Sequence, residues 1–141
     1  MFTYPGIAAL ASGLAAQAAK VILAGLLRRR WEPQLFFTNG GMPSSHTATV
    51  TTLVLAVGAL EGYKSTVFSL VLVFGLFVIY EATGLRQEMG KQARLLNEMM
   101  DSALHGEKVG GARLRELVGH TWGEVGGGVV FGMAFYFWLV R

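Results

Sequence analysis

The chain of 141 residues is strongly apolar: 52% of its residues are hydrophobic and only 15% are charged. This composition is typical of an integral membrane protein and unusual for a soluble domain of the same size. The net charge is only +3, and the basic residues are not interleaved with aromatic side chains, so nucleic-acid binding has no support. Cysteine is absent, which excludes disulfides and thiolate metal sites.

Four apolar segments predict four transmembrane helices, at roughly 6–27, 44–61, 65–85 and 117–140. Each has about 18–24 residues, and a helix of that length crosses a hydrocarbon core of about 30 Å. The second segment is the least apolar because it contains four threonines. Threonine hydroxyls can bond to their own helix and are tolerated among neighbouring helices. We therefore expect residues 1–141 to form a single transmembrane domain.

A further helix is predicted between the third and fourth spans. In residues 91–104, apolar side chains recur at i, i+4 spacing and the polar side chains lie elsewhere. This pattern is typical of an amphipathic helix that lies against the membrane interface. The expected fold class is all-α, an integral membrane bundle of about four transmembrane helices plus one interfacial helix.

The basic residues are distributed unevenly between the two ends of this bundle. Of the twelve, two fall at one end, one lies within the first span, and nine fall at the end that carries the starts of the second and fourth spans. These nine are Arg28, Arg29, Arg30, Arg86, Lys91, Arg94, Lys108, Arg113 and Arg115. By the positive-inside rule, this end faces the cytoplasm.

The second predicted span begins with residues that can bind an anion. The sequence GGMPSSH occupies positions 40–46 and ends in Ser44, Ser45 and His46. Its backbone N–H groups and hydroxyls, at the start of a helix, can bind phosphate. Pro-Ser-Ser by itself is more often an ordinary helix cap, so the phosphate interpretation depends on the neighbouring residues.

The fourth predicted span begins with a second histidine, and Glu124 follows His120 by four positions. Residues with this spacing share a helix face, so the carboxylate can accept a hydrogen bond from one ring nitrogen and fix the tautomer. The other nitrogen is then a nucleophile or general base. A histidine across the phosphate, such as His46, can protonate the leaving oxygen.

These two motifs resemble those of a known superfamily. The sequence MPSSH at 42–46 resembles the Pro-Ser-Gly-His signature of the type 2 phosphatidic acid phosphatases and vanadium haloperoxidases, and His120-x-x-x-Glu124 resembles their later His-x-x-x-Asp. The segments YEATGLR at 80–86, GKQA at 90–93 and ELVGHT at 116–121 resemble the short, divergent branch of that family. The similarity extends over roughly residues 5–138.

The resemblance implies a mechanism without a metal or any other cofactor. In it, His120 attacks phosphorus to give a phosphohistidine, Glu124 orients His120, and His46 protonates the leaving alcohol. Ser44 and Ser45 donate to phosphate oxygens, although Ser45 stands where the family has glycine.

A transferring phosphoryl group also requires positive charge. The family's early Lys-x6-Arg-Pro motif is not present as such, and we expect Arg86 and Lys91 to supply the charge. The alternatives are Lys20, Arg28, Arg113 and Arg115.

The function expected from these residues is hydrolysis of a phosphomonoester or diphosphate of a membrane lipid, with the site at the cytoplasmic interface. The residues do not choose among phosphatidate, phosphatidylglycerophosphate and polyprenyl diphosphate. The alternative is a non-catalytic membrane protein that binds or moves phosphorylated lipids. The expected partners are the lipid bilayer and, because four spans are few for enclosing a site, a second copy packed through a glycine seam.

Overall fold

The computed structural model describes residues 4–29, 31, 33–37, 41–103 and 121–140, with only the backbone at 28, 85–87, 102 and 103. The described chain forms α1 (Pro5–Arg28), a 3-10 helix (Pro33–Phe37), α2 (Ser45–Glu61), α3 (Thr66–Ala103) and α4 (Trp122–Phe135). A π-helical segment, Tyr136–Val140, continues α4. No strand occurs within these residues, so the expected all-α fold is confirmed.

Within the described residues, three helices are long and apolar enough to cross a membrane: Pro5–Leu27, Thr66–Asp101 and Trp122–Val140. The shorter α2 has 17 residues, a length of about 25 Å, and packs against all three. Many large apolar side chains are exposed on the surface of the bundle, as expected for a protein surrounded by lipid. The chain is therefore an integral membrane bundle with α2 at its centre.

Two threonines of α2, Thr49 and Thr52, form hydrogen bonds within the bundle. Thr49 Oγ1 donates to the Ser45 carbonyl at 2.8 Å, one turn back along its own helix. Thr52 Oγ1 lies 2.8 Å from Ser12 Oγ in α1 and 3.1 Å from the Gly132 carbonyl in α4. Thr52 therefore connects three helices with polar contacts in an apolar environment, which explains why a helix of modest hydrophobicity lies at the centre.

Small residues bring α4 against α2. A Cβ on Gly128 would lie 2.6 Å from the Ser44 carbonyl oxygen and 2.7 Å from Thr47 Cβ. A Cβ on Gly132 would lie 2.7 Å from the Ala48 carbonyl oxygen. These glycines therefore serve packing within one chain, and the homodimer stays a prediction that would need another surface.

The third span and the amphipathic segment form one continuous helix, α3, of 38 residues. We expected two helices, at 65–85 and 91–104. Gly84 and Gly90 lie near the expected junction, but a glycine inside a helix costs only about 1 kcal/mol and does not end it. The residues between them are good helix formers, so the helix continues through the junction.

The close approach of α4 to α2 predicts different effects for glycines of the same helix. Gly128→Ala should lower the free energy of unfolding by about 1–3 kcal/mol, because the new methyl group meets backbone and a β-branched side chain. Gly126→Ala is the matched control, since nothing lies within 4 Å of its Cβ position. Thermal unfolding in detergent would measure both, and equal midpoints would contradict the packing.

Candidate active site

The start of α2 is a capped helix N-terminus. Ser44 is the N-cap, and its Oγ accepts from the Thr47 backbone N–H at 3.3 Å and from Thr47 Oγ1 at 3.0 Å. Ser44 is fully buried, whereas Ser45 and His46 in the first turn are half-buried. Backbone N–H groups in a first turn have no partner within the helix, and the positive end of the helix dipole favours an anion there.

Gly41 leads into this turn with a backbone conformation that glycine readily adopts. Its φ is +87°, and a Cβ at this position would lie 3.2 Å from Lys20 Cδ. The aliphatic part of Lys20 therefore lies directly against the Gly41 backbone. Both the dihedral angle and the lysine favour glycine at this position.

The start of α4 is held by a capping box. Thr121 Oγ1 accepts from the Glu124 backbone N–H at 3.3 Å, and Glu124 Oε2 accepts from the Thr121 backbone N–H at 3.0 Å. Two N–H groups at the helix start are thereby satisfied reciprocally. Since the described helix begins at Trp122 with Thr121 as its N-cap, α4 starts later than the expected 117.

Glu124 also connects the two helix starts. Its Oε1 accepts from the Gly41 backbone N–H at 3.0 Å, and its backbone carbonyl accepts from the Ser44 N–H at 3.2 Å. The first of these contacts joins residues 83 positions apart in the sequence. The motif that contains Ser44 and His46 therefore lies beside the motif that contains Glu124.

Lys20 brings positive charge to this junction. Only 4% of its surface is exposed, and the Glu124 carboxylate attracts it electrostatically. A charged side chain within a membrane-spanning helix is expensive and usually functional. A buried cation beside a helix N-terminus can bind an anion, and the half-buried imidazole in the first turn of that helix can exchange a proton with it.

The other expected site residues are distributed as follows. Lys91 is exposed on α3 and forms an ion pair with Glu88, with 2.6 Å between Nζ and Oε1. Arg86 belongs to the same helix, and only its backbone is described. His120 lies outside the described residues, so its pairing with His46 and Glu124 stays a prediction.

Two features of the junction were not predicted from the sequence. The first is the hydrogen bond from Gly41 to Glu124. The available signal was the spacing Thr121-x-x-Glu124, which is that of a capping box and places Glu124 in the first turn of α4. Lys20 was considered only as an alternative cation. Its position within an apolar segment was the signal, since such a residue usually has a partner inside the bundle.

The fold and the junction define a class: an integral membrane bundle with a polar, anion-compatible centre where two helices start. Comparison with known proteins agrees with this class. The chain belongs to the divergent PAP2 family, whose family model matches residues 4–135. This confirms the resemblance seen in the sequence.

One relative and the solved structures complete the comparison. The chain is 34% identical over 128 residues to an uncharacterized membrane protein, YuiD, of Bacillus subtilis (strain 168). The match covers 83% of this chain and 81% of that protein. No solved structure matches the chain.

The connecting role of Glu124 predicts the effect of removing its charge. Glu124→Gln should lower the free energy of unfolding by about 1–3 kcal/mol, because an amide has one acceptor oxygen for the two N–H groups of Gly41 and Thr121. Glu81→Gln, at an exposed position of α3, is the matched control. Thermal unfolding in lipid nanodiscs measures both; equal stabilities of the two variants would contradict the connecting role.

Proposed function

We propose that the protein is a lipid phosphate phosphatase, a phosphoric ester hydrolase that acts through a phosphohistidine intermediate. The observation that carries the proposal is the contact between the two motif segments: Gly41 and Ser44 donate to Glu124 through their backbone N–H groups. Membership of the divergent PAP2 family supports the same class of chemistry.

In the proposed first step, His120 attacks phosphorus and the bond from phosphorus to the leaving oxygen breaks. His46 gives its proton to that oxygen, so the lipid leaves as an alcohol or, from a diphosphate, as a monophosphate. In the second step, water attacks phosphorus and gives a proton to His46, and the bond from phosphorus to His120 breaks. Inorganic phosphate is released, and both histidines return to their starting states.

Glu124 is proposed to orient His120 while it connects the helix starts. A carboxylate has about four lone-pair positions, so one side chain can accept from backbone N–H groups and from an imidazole together. The bond from the imidazole would fix the His120 tautomer and leave its other nitrogen nucleophilic. The two roles are therefore compatible.

Lys20 is the cation that we propose for neutralising the phosphoryl oxygens. It is buried beside Gly41, whereas Lys91 is exposed and pairs with Glu88. A preorganised charge in a site with little water stabilises a transition state more strongly than an exposed lysine does. The backbone N–H groups in the first turn of α2 would supply further donors.

The proposed substrate is a lipid because the site lies among membrane-spanning helices, where amphiphiles are already concentrated. The distribution of basic residues supports a site that faces the cytoplasm. Phosphomonoesters and diphosphates of lipids both fit the proposed chemistry.

Phosphate release from a panel of lipid phosphates, with purified protein in the presence and absence of a chelator, tests the proposal. We expect release in both conditions, and His46→Ala should lower kcat by about 10²–10⁴-fold because the general acid is lost. His120→Ala should abolish turnover because the nucleophile is lost. His105→Ala, at the one histidine of the sequence that belongs to neither motif, is the matched control and should retain activity.

Two results would contradict the proposed phosphatase activity or its mechanism. If lipid phosphate binds tightly to the wild-type protein without any release, the non-catalytic alternative is correct. If the histidine variants retain wild-type turnover, the phosphohistidine mechanism is wrong.

A pair of lysine substitutions tests the proposed cation. Lys20→Met should reduce kcat/KM by about 10²-fold or more, the loss typical of removing one strong electrostatic contact to a transition state. Lys91→Met should have little effect because the exposed ion pair with Glu88 is weak. Steady-state kinetics would show the difference, and the opposite order of effects would restore Lys91 as the phosphate ligand.

A further inference from the structure

One face of α2 lies open between two neighbouring helices. Gly13 of α1 packs against the Ser45 carbonyl and Thr49, whereas Gly75 of α3 packs against Val50 and Val54. Among the described residues, the backbones of α1 and α3 do not approach each other closely. The strip of α2 between its α1-facing and α3-facing sides is therefore the floor of a groove.

The floor of this groove runs from His46 through Leu53 to Leu60. Helical spacing places Leu53 four residues after Thr49 and three after Val50, so it lies between the two packed sides. His46 and Leu60 lie seven residues to either side of it, on the same strip. Leu60 is 62% exposed, His46 and Leu53 are half-buried, and the strip is about 21 Å long.

A polar atom without a partner lies near the His46 end of the groove. Gln17 is one turn from both Gly13 and Lys20 in α1, so it lies between their contacts with Ser45 and Gly41. In the part of the chain that the structure describes, Gln17 Oε1 is buried and accepts no hydrogen bond. A buried acceptor without a donor is costly because it has lost its hydrogen bonds to water. A ligand with an O–H group would satisfy it.

We propose that this α1–α3 groove binds the apolar chain of a lipid phosphate, with Gln17 accepting a hydrogen bond from an O–H of the head group. The proposal rests on the proposed function for the identity of the head group. The O–H belongs either to the protonated phosphate or to a hydroxyl on the lipid.

The surroundings of the groove favour a lipid chain over a helix of another protein. Both flanking helices are long and apolar enough to cross the membrane, so the groove opens sideways to the bilayer, where apolar chains are the surrounding solvent. Its floor leads directly to His46, in the turn that follows the Ser44 cap. An apolar partner helix would fill the groove but leave Gln17 Oε1 without a donor.

Binding of phosphonates, which are not hydrolysed, tests the groove independently of catalysis. The probes are hexadecylphosphonate, butylphosphonate and inorganic phosphate, each titrated into the full chain in lipid nanodiscs and followed by phosphorus NMR. Hexadecylphosphonate should bind most tightly, because its chain buries more apolar surface. Gln17→Leu should weaken all three probes if the donor is the phosphate O–H. A hexadecyl phosphonate ester with a hydroxyl on its head group is titrated alongside them. If Gln17→Leu weakens only this probe, the donor is that hydroxyl, and if it weakens none of the probes, Gln17 does not bind the head group.

Tryptophan substitutions along the floor test the position of the chain. Leu53→Trp should weaken hexadecylphosphonate about tenfold or more and leave butylphosphonate unchanged. Leu60→Trp, at an exposed position that accommodates the larger ring, should weaken only the long chain and by a smaller factor. Leu70→Trp is the matched control, because Leu70 is exposed and lies five residues from Gly75, on another face of α3.

The outcomes separate the groove from the enzyme. If both floor variants bind hexadecylphosphonate as the wild type does, or if Leu53→Trp weakens both phosphonates equally, the chain does not lie in this groove. Such a result leaves the phosphatase intact, because phosphate release is measured separately. If the floor variants lose long-chain binding and the wild-type protein releases no phosphate, the groove proposal is supported and the phosphatase proposal is wrong.

Discussion

The arrangement of the site depends on the hydrogen bonds that the Glu124 carboxylate accepts. Its two oxygens accept N–H groups from Gly41, before α2, and from Thr121, at the start of α4. Charge-assisted hydrogen bonds of this kind are stronger than neutral ones, and surrounding apolar helices strengthen them further. The glycines of α4 let it approach α2 closely, so the packing of the helices and the position of the carboxylate support each other.

Two groups of polar residues lie along α2, one within the bundle and one at the helix starts. Ser12, Thr52 and the Gly132 carbonyl connect three helices within the bundle, where they satisfy one another. Lys20, Glu124 and the Ser44 cap lie at the helix starts, where charge is concentrated. The first group fixes the helices, and the second provides the chemistry that a phosphate site requires.

Much of the fold follows from the sequence because apolar segments of sufficient length have few alternatives in a bilayer. The continuous α3 was not predicted, because amphipathic periodicity shows a change of environment along a helix but not whether the helix breaks there. The contact between Gly41 and Glu124 was also missed, because local patterns do not report pairs 83 residues apart. The motifs indicated the chemistry of the site. Lys20 was proposed as the phosphate-binding cation in place of Lys91 only because the structure packs α1 against Gly41.

The central claim is that His46 and His120 lie on either side of one phosphate group. Nitrogen–phosphorus dipolar NMR on histidine-labelled protein with bound phosphonate measures this directly, and the three histidines of the chain can be assigned by single substitutions. The account predicts that His46 and His120 both approach the phosphorus closely, at roughly hydrogen-bond range from its oxygens, and that His105 does not. Close approach of only one of the two, or of neither, would contradict it.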